Sequence, residues 1–394
     1  MNINKYLIYF LPSALVTGPL LSEIIIIFVS LNFLFFSIKN KIFFIYKNNF
    51  SKFFLFFYFI INISALLSSD IFYSLKTSIP YFRYYFFVIS ISYYVNNDSK
   101  FIKNLFYSLS FTLVCVAISG YVEYFFNYNL FLTEKIAEHR ISGLFGDELI
   151  IGSYIARLIP LLILLKILLR IKKNTIFNCV LIFIYFIVFL SGERSALVLA
   201  SISYFSYIFF SSINLYKKII LFLFTFFLAI FFIANNHILK SRLITETHNQ
   251  IISNKKIYFF SEEHTGHYKA AFNMFLDKPI LGHGPKTFRL NCNKKNYIAK
   301  YSCTTHPHNF QLQLLAEIGI FGIMFSIIFL YSLFLFFKNL TLGFPKSSFV
   351  YLPIITFVMP LIPNGNFFNN WLSIISYFSI SISIYLIFIK SEKN

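Results

Sequence analysis

Stretches of about twenty consecutive apolar residues, the length an α-helix needs to cross the hydrocarbon of a bilayer, recur along this chain with only short polar breaks between them. The sequence is 58% hydrophobic and 21% aromatic but only 12% charged, more apolar surface than one soluble core absorbs, so most of it must take lipid as its solvent. Backbone polar groups in lipid are satisfied only in helices and closed barrels. No barrel-like alternation is present, so the expected fold is an all-α polytopic membrane protein. The apolar windows fall near residues 6–20, 22–38, 53–68, 78–95, 103–126, 149–169, 175–190, 195–213, 219–235, 309–337, 347–362 and 368–389, about twelve transmembrane helices.

Lys and Arg choose the orientation. With the N-terminus inside, Lys39, Lys41, Lys47, Lys52, Lys100, Lys103, Lys166, Arg170, Lys172, Lys173, Lys217, Lys218, Lys338, Lys346, Lys390 and Lys393 all fall on the cytoplasmic side, as the positive-inside bias requires. This divides the chain into N-terminal transmembrane helices (1–235), one large extracytoplasmic loop (236–308) and C-terminal transmembrane helices (309–394). The first helix lacks a small-residue cleavage site and reads as uncleaved. The net charge of +19 is scattered over helix ends rather than gathered on a soluble face, which argues against nucleic acid as a partner.

All eight histidines land outside: His139 in a first loop near 127–148, and His237, His248, His264, His267, His283, His306 and His308 in or at the end of the second. Such one-sided placement makes the outer face the chemically equipped one. A transporter or flippase would instead show ionisable residues near the midplane and repeated halves, and no internal repeat is present.

Four constellations carry possible chemistry. In Thr305-His306-Pro307-His308-Asn309, Pro307 ends any preceding helix and His308 stands at the outer mouth of the tenth span. On a continuous helix Gly319 and Gly322 lie about 20° and about 40° from His308, one on each side, giving a face another helix can approach closely. His308 is either a general base or an interfacial cap. Glu317 points away from it and suits a helix-to-helix contact. Arg194, in Gly192-Glu193-Arg194-Ser195-Ala196-Leu197, snorkels, pairs with Glu193, or holds a phosphate through the two parallel bonds a guanidinium offers. Arg140 opens the stretch Ser142-Gly143-Leu144-Phe145-Gly146-Asp147-Glu148, and Arg157 lies inside the sixth span, where an ionisable group faces protein or a wet cavity. Finally, Leu281-Gly282-His283-Gly284-Pro285-Lys286-Thr287-Phe288-Arg289 follows an amphipathic helix through Tyr268, Ala271, Met274 and Phe275; its glycines could expose N–H groups to an anion, with Lys286 and Arg289 supplying charge.

Cys115 and Cys179 fall within apolar windows and read as small buried groups. Cys292 and Cys303 flank a short outer segment just before His308. A disulfide fits them in an oxidising compartment; two free thiols, or a metal site shared with His306 or His308, are the other readings, and no CxxC spacing supports the metal.

Together, His308-Asn309 with the spaced Gly319 and Gly322, the segment 192–197 and the segment 281–289 resemble blocks of the O-antigen ligase and polymerase family, over about residues 190–325. The resemblance implies a membrane glycosyltransferase, without metal or other cofactor, acting at the periplasmic face on a glycan carried by undecaprenyl diphosphate. It implies His308 as general base and Arg194 as a diphosphate ligand, with Arg289 or His267 near where the family has a second loop Arg; Arg140, Arg157 and Lys286 stand beside these as candidate substrate contacts on their own chemistry. The expected activity is polymerisation of lipid-linked O-antigen or exopolysaccharide units, with a chain-length regulator as a possible partner. The alternative is ligation of the glycan to lipid A core or a protein.

Overall fold

A computed structural model describes residues 2–130, 137, 139–171, 174–211, 213–253, 256–257, 260–298 and 300–390. Three of the cations read as cytoplasmic, Lys172, Lys173 and Lys393, lie outside the described residues. Among the described residues the regular structure is helical apart from one pair of two-residue strands.

The N-terminal part contains α1 (Asn2–Val16), α2 (Pro19–Lys39), α3 (Asn49–Leu66), α4 (Ile71–Ser78), α5 (Phe82–Asn97), α6 (Phe101–Phe126), α7 (Ile151–Leu168), α8 (Asn174–Leu190), α9 (Arg194–Phe210) and α10 (Leu215–Asn235). The long connection that follows folds into α11 (His237–Lys240), α12 (Glu246–Ile251), an antiparallel pair of strands β1 (Ile252–Ser253) and β2 (Lys256–Ile257), α13 (Glu262–Asp277) and α14 (Phe288–Asn291). The rest comprises α15 (Phe310–Ile318), α16 (Ile323–Thr341), α17 (Pro345–Ser348), α18 (Leu352–Phe357) and α19 (Asn370–Ile384). Among the described residues, seven helical runs are long and apolar enough to cross a membrane: α2, α3, α6, α7, α10, the run Phe310–Thr341 and the run Asn370–Ile389. Three shorter apolar helices cover Ile3–Val16, Thr175–Leu190 and Arg194–Phe210.

Helix α7 lies at the centre, buried continuously from Leu158 to Lys166 between α6, α8, α9 and α19. Side chains all round this stretch meet protein, which explains why it is apolar on every face between Arg157 and Lys166. By contrast α10 buries only Thr225 and turns its phenylalanines outward, as a helix facing lipid does. Polar contacts lock the packing. An ion pair joins Arg83 to Glu23 at 2.8 Å, and Arg83 also donates to Pro80 O at 2.6 Å and Asn370 Oδ1 at 3.1 Å. At one end of the bundle Lys5 meets Asp98 at 3.2 Å.

Two apolar windows differ from their sequence reading. Window 347–362 is not one helix: α17 and α18 are four and six residues long, and the chain is irregular from Val358 to Asn369. Pro353, Pro360 and Pro363 remove backbone donors there. Irregular backbone at such depth persists only when other protein groups satisfy it. Here α15 does so: Gln311 Nε2 donates to Val358 O at 2.6 Å, Asn309 Nδ2 to Pro360 O at 2.7 Å, and Phe367 N to Gln313 Oε1 at 2.9 Å.

The other difference is in window 309–337, which breaks at Gly319. That residue has φ +66°, and a side chain there would collide with the carbonyl of Ile280. The close neighbour of the Gly319 position is therefore the 279–288 loop, not a second helix. Nor does the helical wheel extend to His308, because α15 begins after its N-cap, Asn309, whose side chain accepts from Leu312 N at 3.0 Å.

Candidate functional site

The site is assembled on α15 and the folded connection that precedes it. Ala270, Ala271 and Met274 of α13 pack with Phe288, Cys292, Tyr297 and Ala316 into a small second core. This fixes α13 against α15. Cys292 and Cys303 are joined as a disulfide with Cα atoms 5.0 Å apart, closing the segment that leads to His306 and His308.

The loop 281–288 docks on the last turn of α15 through its backbone. His283 N donates to Ala316 O at 3.0 Å and Gly284 N to Glu317 O at 2.9 Å. The buried Glu317 carboxylate accepts from Lys286 N at 2.8 Å and Phe288 N at 3.0 Å. Gly282, φ +66°, has no room for a side chain against the Glu317 backbone. The N–H groups of Gly282, His283 and Gly284, read from sequence as an anion nest, are thus occupied by the carbonyls of Lys278, Ala316 and Glu317, and the Glu317 carboxylate anchors the rest of the loop rather than a neighbouring helix. His283 is buried too, its Nε2 3.0 Å from Met274 O, and serves this docking.

His308 has φ +55°, a left-handed conformation that few non-glycine residues adopt, Asn, Asp and His most often among them. It is held there because its carbonyl accepts from Asn364 N at 2.8 Å, immediately before the Asn309 cap. Three other imidazoles surround it: His306 with ring centres 4.2 Å apart, His264 at 5.4 Å and His267 at 5.6 Å. The last two stand on the first turns of α13, N-capped by Ser261. Burial, followed by the neighbouring imidazoles His306, His264 and His267, pushes His308 down to about 3. Burial likewise takes His306 down to about 4, while Asn364 opposes the shift and Arg289 reinforces it. His264 is lowered, first by burial and then by His267. His308 is therefore neutral at neutral pH with a free ring lone pair, and the burial that keeps it neutral also weakens it as a base until an anion bound beside it favours the imidazolium. Among the described residues no three His, Cys, Asp or Glu groups form a cluster that could hold a metal ion.

Arg194 is the first residue of α9, where the helix dipole disfavours a cation. Its hydrogen bond goes to Thr247 Oγ1 at 3.0 Å, and it has no ion pair among the described residues. The positive charges of Arg194 and Arg242 press on each other, with Glu246 offsetting; Glu246 lies 2.5 Å from Arg242. Arg194 also acts electrostatically on His264, whose ring lies 5.4 Å from that of His308. Arg242 was missed in the sequence. Its signal was slight: a single Arg seven residues past the end of the ninth apolar window, indistinguishable from a solvated loop cation.

The other sequence candidates separate into two groups. Arg140 is a brace: it donates to Leu149 O and lies 3.7 Å from Glu193. The Glu193 carboxylate in turn accepts from Gly152 N at 2.7 Å and Ser153 N at 3.2 Å, at the start of α7. Arg157, Lys286 and Arg289, with His306, line a cavity of about 1440 Å³. The polar run Asn364, Gly365, Asn366, Asn369, Asn370, which partly lines this cavity, was also missed; four Asn and a Gly interrupting apolar sequence after Pro363 were its available signal.

A search among curated proteins finds no significant match. Residues 179–327, which include Arg194, Arg242, the four clustered histidines and the 281–289 loop, match the family model described as O-antigen ligase, and this supports assigning the chain to the O-antigen ligase and polymerase family.

Proposed function

We propose that this protein is a membrane glycosyltransferase that joins glycan units carried on undecaprenyl diphosphate, acting as an O-antigen or exopolysaccharide polymerase at the periplasmic face of the inner membrane. The observation that carries the reading is a neutral, buried His308 set in a cluster of imidazoles, one of which, His264, lies within the electrostatic reach of Arg194. An acceptor sugar hydroxyl is a weak nucleophile, and His308 takes its proton as the oxygen attacks the anomeric carbon of the donor. The bond from that carbon to the phosphate oxygen breaks. The electron pair leaves with the lipid diphosphate, whose growing negative charge Arg194 and Arg242 stabilise through fixed guanidinium donors. His267 and His264 orient the His308 ring. In this reading guanidinium groups, not a metal ion, neutralise the leaving group, and chelation with EDTA leaves the rate unchanged. About twelve crossings, some made by short or broken helices, put the connection 236–308 outside, where a finished lipid-linked sugar unit is available.

A ligase is the second reading, favoured by the description of the matching family. The decisive experiment supplies the purified full-length protein with a fluorescent undecaprenyl-diphosphate oligosaccharide, either alone or with lipid A core. A ladder of longer lipid-linked products without core supports polymerase. Transfer only when core is added supports ligase. Failure to consume the donor in either reaction rejects both.

A further inference from the structure

The polar run that follows Pro363 has hydrogen-bonding capacity that the reaction above does not use. Each of its four Asn side chains meets a partner that can only donate: Arg157 Nη2 reaches Asn364 Oδ1 at 2.9 Å, Phe368 N reaches Asn366 Oδ1 at 2.8 Å, Leu372 N reaches Asn369 Oδ1 at 3.0 Å and Arg83 Nη2 reaches Asn370 Oδ1 at 3.1 Å. A donor-only partner fixes which end of an amide meets it, so all four oxygens are committed to the protein and all four NH₂ groups are turned away from these partners. Asn366, Asn369 and Asn370 border the cavity beside the histidine cluster. Asn366 is 6% exposed, and its Nδ2 has no hydrogen-bond partner, a donor that is costly to leave unmet. Asn364 ties the run to the base, since its N–H donates to His308 O at 2.8 Å.

Trp371, next in the chain, also borders the cavity. It is the one tryptophan of the sequence, and its indole N–H donates to Leu15 O at 2.9 Å. What the ring offers a ligand is therefore its π surface, with Leu15 and Val16 of α1 beside it in the cavity wall. The cations of this cavity are balanced from within the protein: Glu193 acts on Arg157, and Glu317 on Lys286 and Arg289, while Glu148 adds a carboxylate to the lining. The unmet capacity is thus neutral. An amide whose oxygen is occupied offers a ligand donors alone; a hydroxyl that accepts from it still has a proton to place, whereas a carbonyl oxygen has none. Such donors beside an aromatic ring and aliphatic side chains match an acylamino sugar, whose carbonyl accepts while its methyl group and the C–H face of its ring pack on apolar surface.

We infer that the run 366–371 is a sugar-recognition wall selective for an acylamino pyranose, in which the NH₂ groups of Asn366, Asn369 and Asn370 donate to the carbonyl and ring oxygens and Trp371 lies under the C–H face. The inference rests on the glycosyltransferase reading for the sugar being a substrate, but its test is binding and needs no turnover. The full-length protein in detergent micelles is titrated with N-acetylglucosamine, N-acetylgalactosamine, glucose, galactose and glucuronate. Trp371 fluorescence reports occupancy, and saturation-transfer NMR of the N-acetyl methyl group reports its contact with protein. An acetamido sugar should perturb Trp371 and bind about three- to tenfold more tightly than the parent sugar without the acetamido group. Asn369→Ser keeps an N-cap for α19, Asn370→Asp keeps the acceptor for Arg83, and Asn366→Asp keeps the oxygen used by Phe368 N and Gln313. Each removes an NH₂ group while sparing the internal bond. The Asn369 and Asn370 variants should retain the wild-type thermal midpoint, and all three should lower the acetamido preference toward parity.

Equal affinity for acetamido and parent sugars, tighter binding of glucuronate than of either acetamido sugar, or a preference unchanged in all three variants would overturn the proposal. So would the absence of saturable binding, or binding that leaves Trp371 fluorescence unaltered. If the acetamido preference follows the Asn variants in a protein that consumes no lipid-linked donor, the sugar wall stands and the glycosyltransferase reading fails. If the donor is consumed and no such preference is found, the reverse holds.

Discussion

The carboxylate of Glu317 and the backbone of Lys286, 31 residues apart in sequence, meet at 2.8 Å. Phe288 N supplies a second bond to the same carboxylate. The device recurs on the same face: Glu123 accepts from the backbone of Ser142 and Gly143, and Glu193 from that of Gly152 and Ser153. Glu317 and Glu123 each order a loop and Glu193 the first turn of α7, satisfying N–H groups that would otherwise be costly to bury.

Glu317→Ala should therefore release the 281–288 loop and the Lys286 and Arg289 side chains with it. Leaving two buried donors unsatisfied costs about 2–5 kcal/mol, enough to lower the thermal midpoint of the solubilised protein and to raise KM. Glu317→Gln keeps one acceptor oxygen but turns an NH₂ toward the other donor, so it should lie between Ala and wild type. Thermal unfolding followed by tryptophan fluorescence tests the order; equal midpoints for all three proteins would contradict the anchoring role.

For His308 the prediction concerns chemistry. Replacement by Asn suits its φ of +55°, because Asn tolerates the left-handed region, yet it supplies no base. His308→Asn should preserve expression and thermal midpoint while lowering kcat by about 10²–10⁴-fold. His308→Ala should be equally inactive. Because burial and the surrounding imidazoles hold His308 near 3, the base form persists as pH falls through the usual imidazole range. The acid limb of kcat/KM, which reports free enzyme, should then lie well below pH 6.5, whereas bound diphosphate favours the imidazolium and moves the limb of kcat upward. An acid limb of kcat/KM at about 6.5 would show that the buried cluster does not govern the reaction.

How much of this was legible in the sequence depended on whether a residue stood out from apolar neighbours. Arg194, Arg157 and His308 did, because each is a polar group at or inside a membrane window. Arg242 did not, since a loop cation gains meaning only when α11 and α12 carry it back to α9. Glu317 stood out but its partner was misjudged: the helical wheel assumed a helix unbroken from His308 through Gly322, whereas Asn309 starts it and Gly319 ends it. The irregular stretch 358–369 was hidden for a similar reason, since apolar content alone does not distinguish a spanning helix from proline-broken backbone satisfied by Gln311 and Gln313.

Arg194→Lys retains the positive charge but loses the paired donors, and Arg242 remains 2.5 Å from Glu246, so it is partly neutralised and not free to replace it. An ammonium makes point contacts to phosphate where a guanidinium makes two parallel ones. The expected result is a fall in kcat/KM of about 10–100-fold, which corresponds to about 1.4–2.7 kcal/mol, with little change in thermal midpoint. Arg242→Lys should show a smaller loss. Wild-type kinetics for Arg194→Lys would reduce that residue to a snorkelling cation.

The remaining prediction is sidedness, because a lipid diphosphate carrying a finished sugar unit is available only outside the cytoplasmic membrane. Lys217 and Lys294 are both exposed and lie at opposite ends of α10 and the folded connection that follows it. The positive-inside bias places Lys217 and Lys218 in the cytoplasm, and one crossing by α10, whose apolar surface is turned outward along its length, carries residue 294 to the other face. In a background lacking the four natural cysteines, Lys294→Cys should react with an impermeant maleimide in intact spheroplasts. Lys217→Cys should react only after lysis. The Cys292–Cys303 bridge is absent from this background, so a second reporter, Asn49→Cys, keeps the test independent of loop folding and should also label only after lysis. Labelling of residue 294 from the cytoplasm, or of 217 and 294 from one side, would move the histidine cluster to the wrong face and end the proposed reaction.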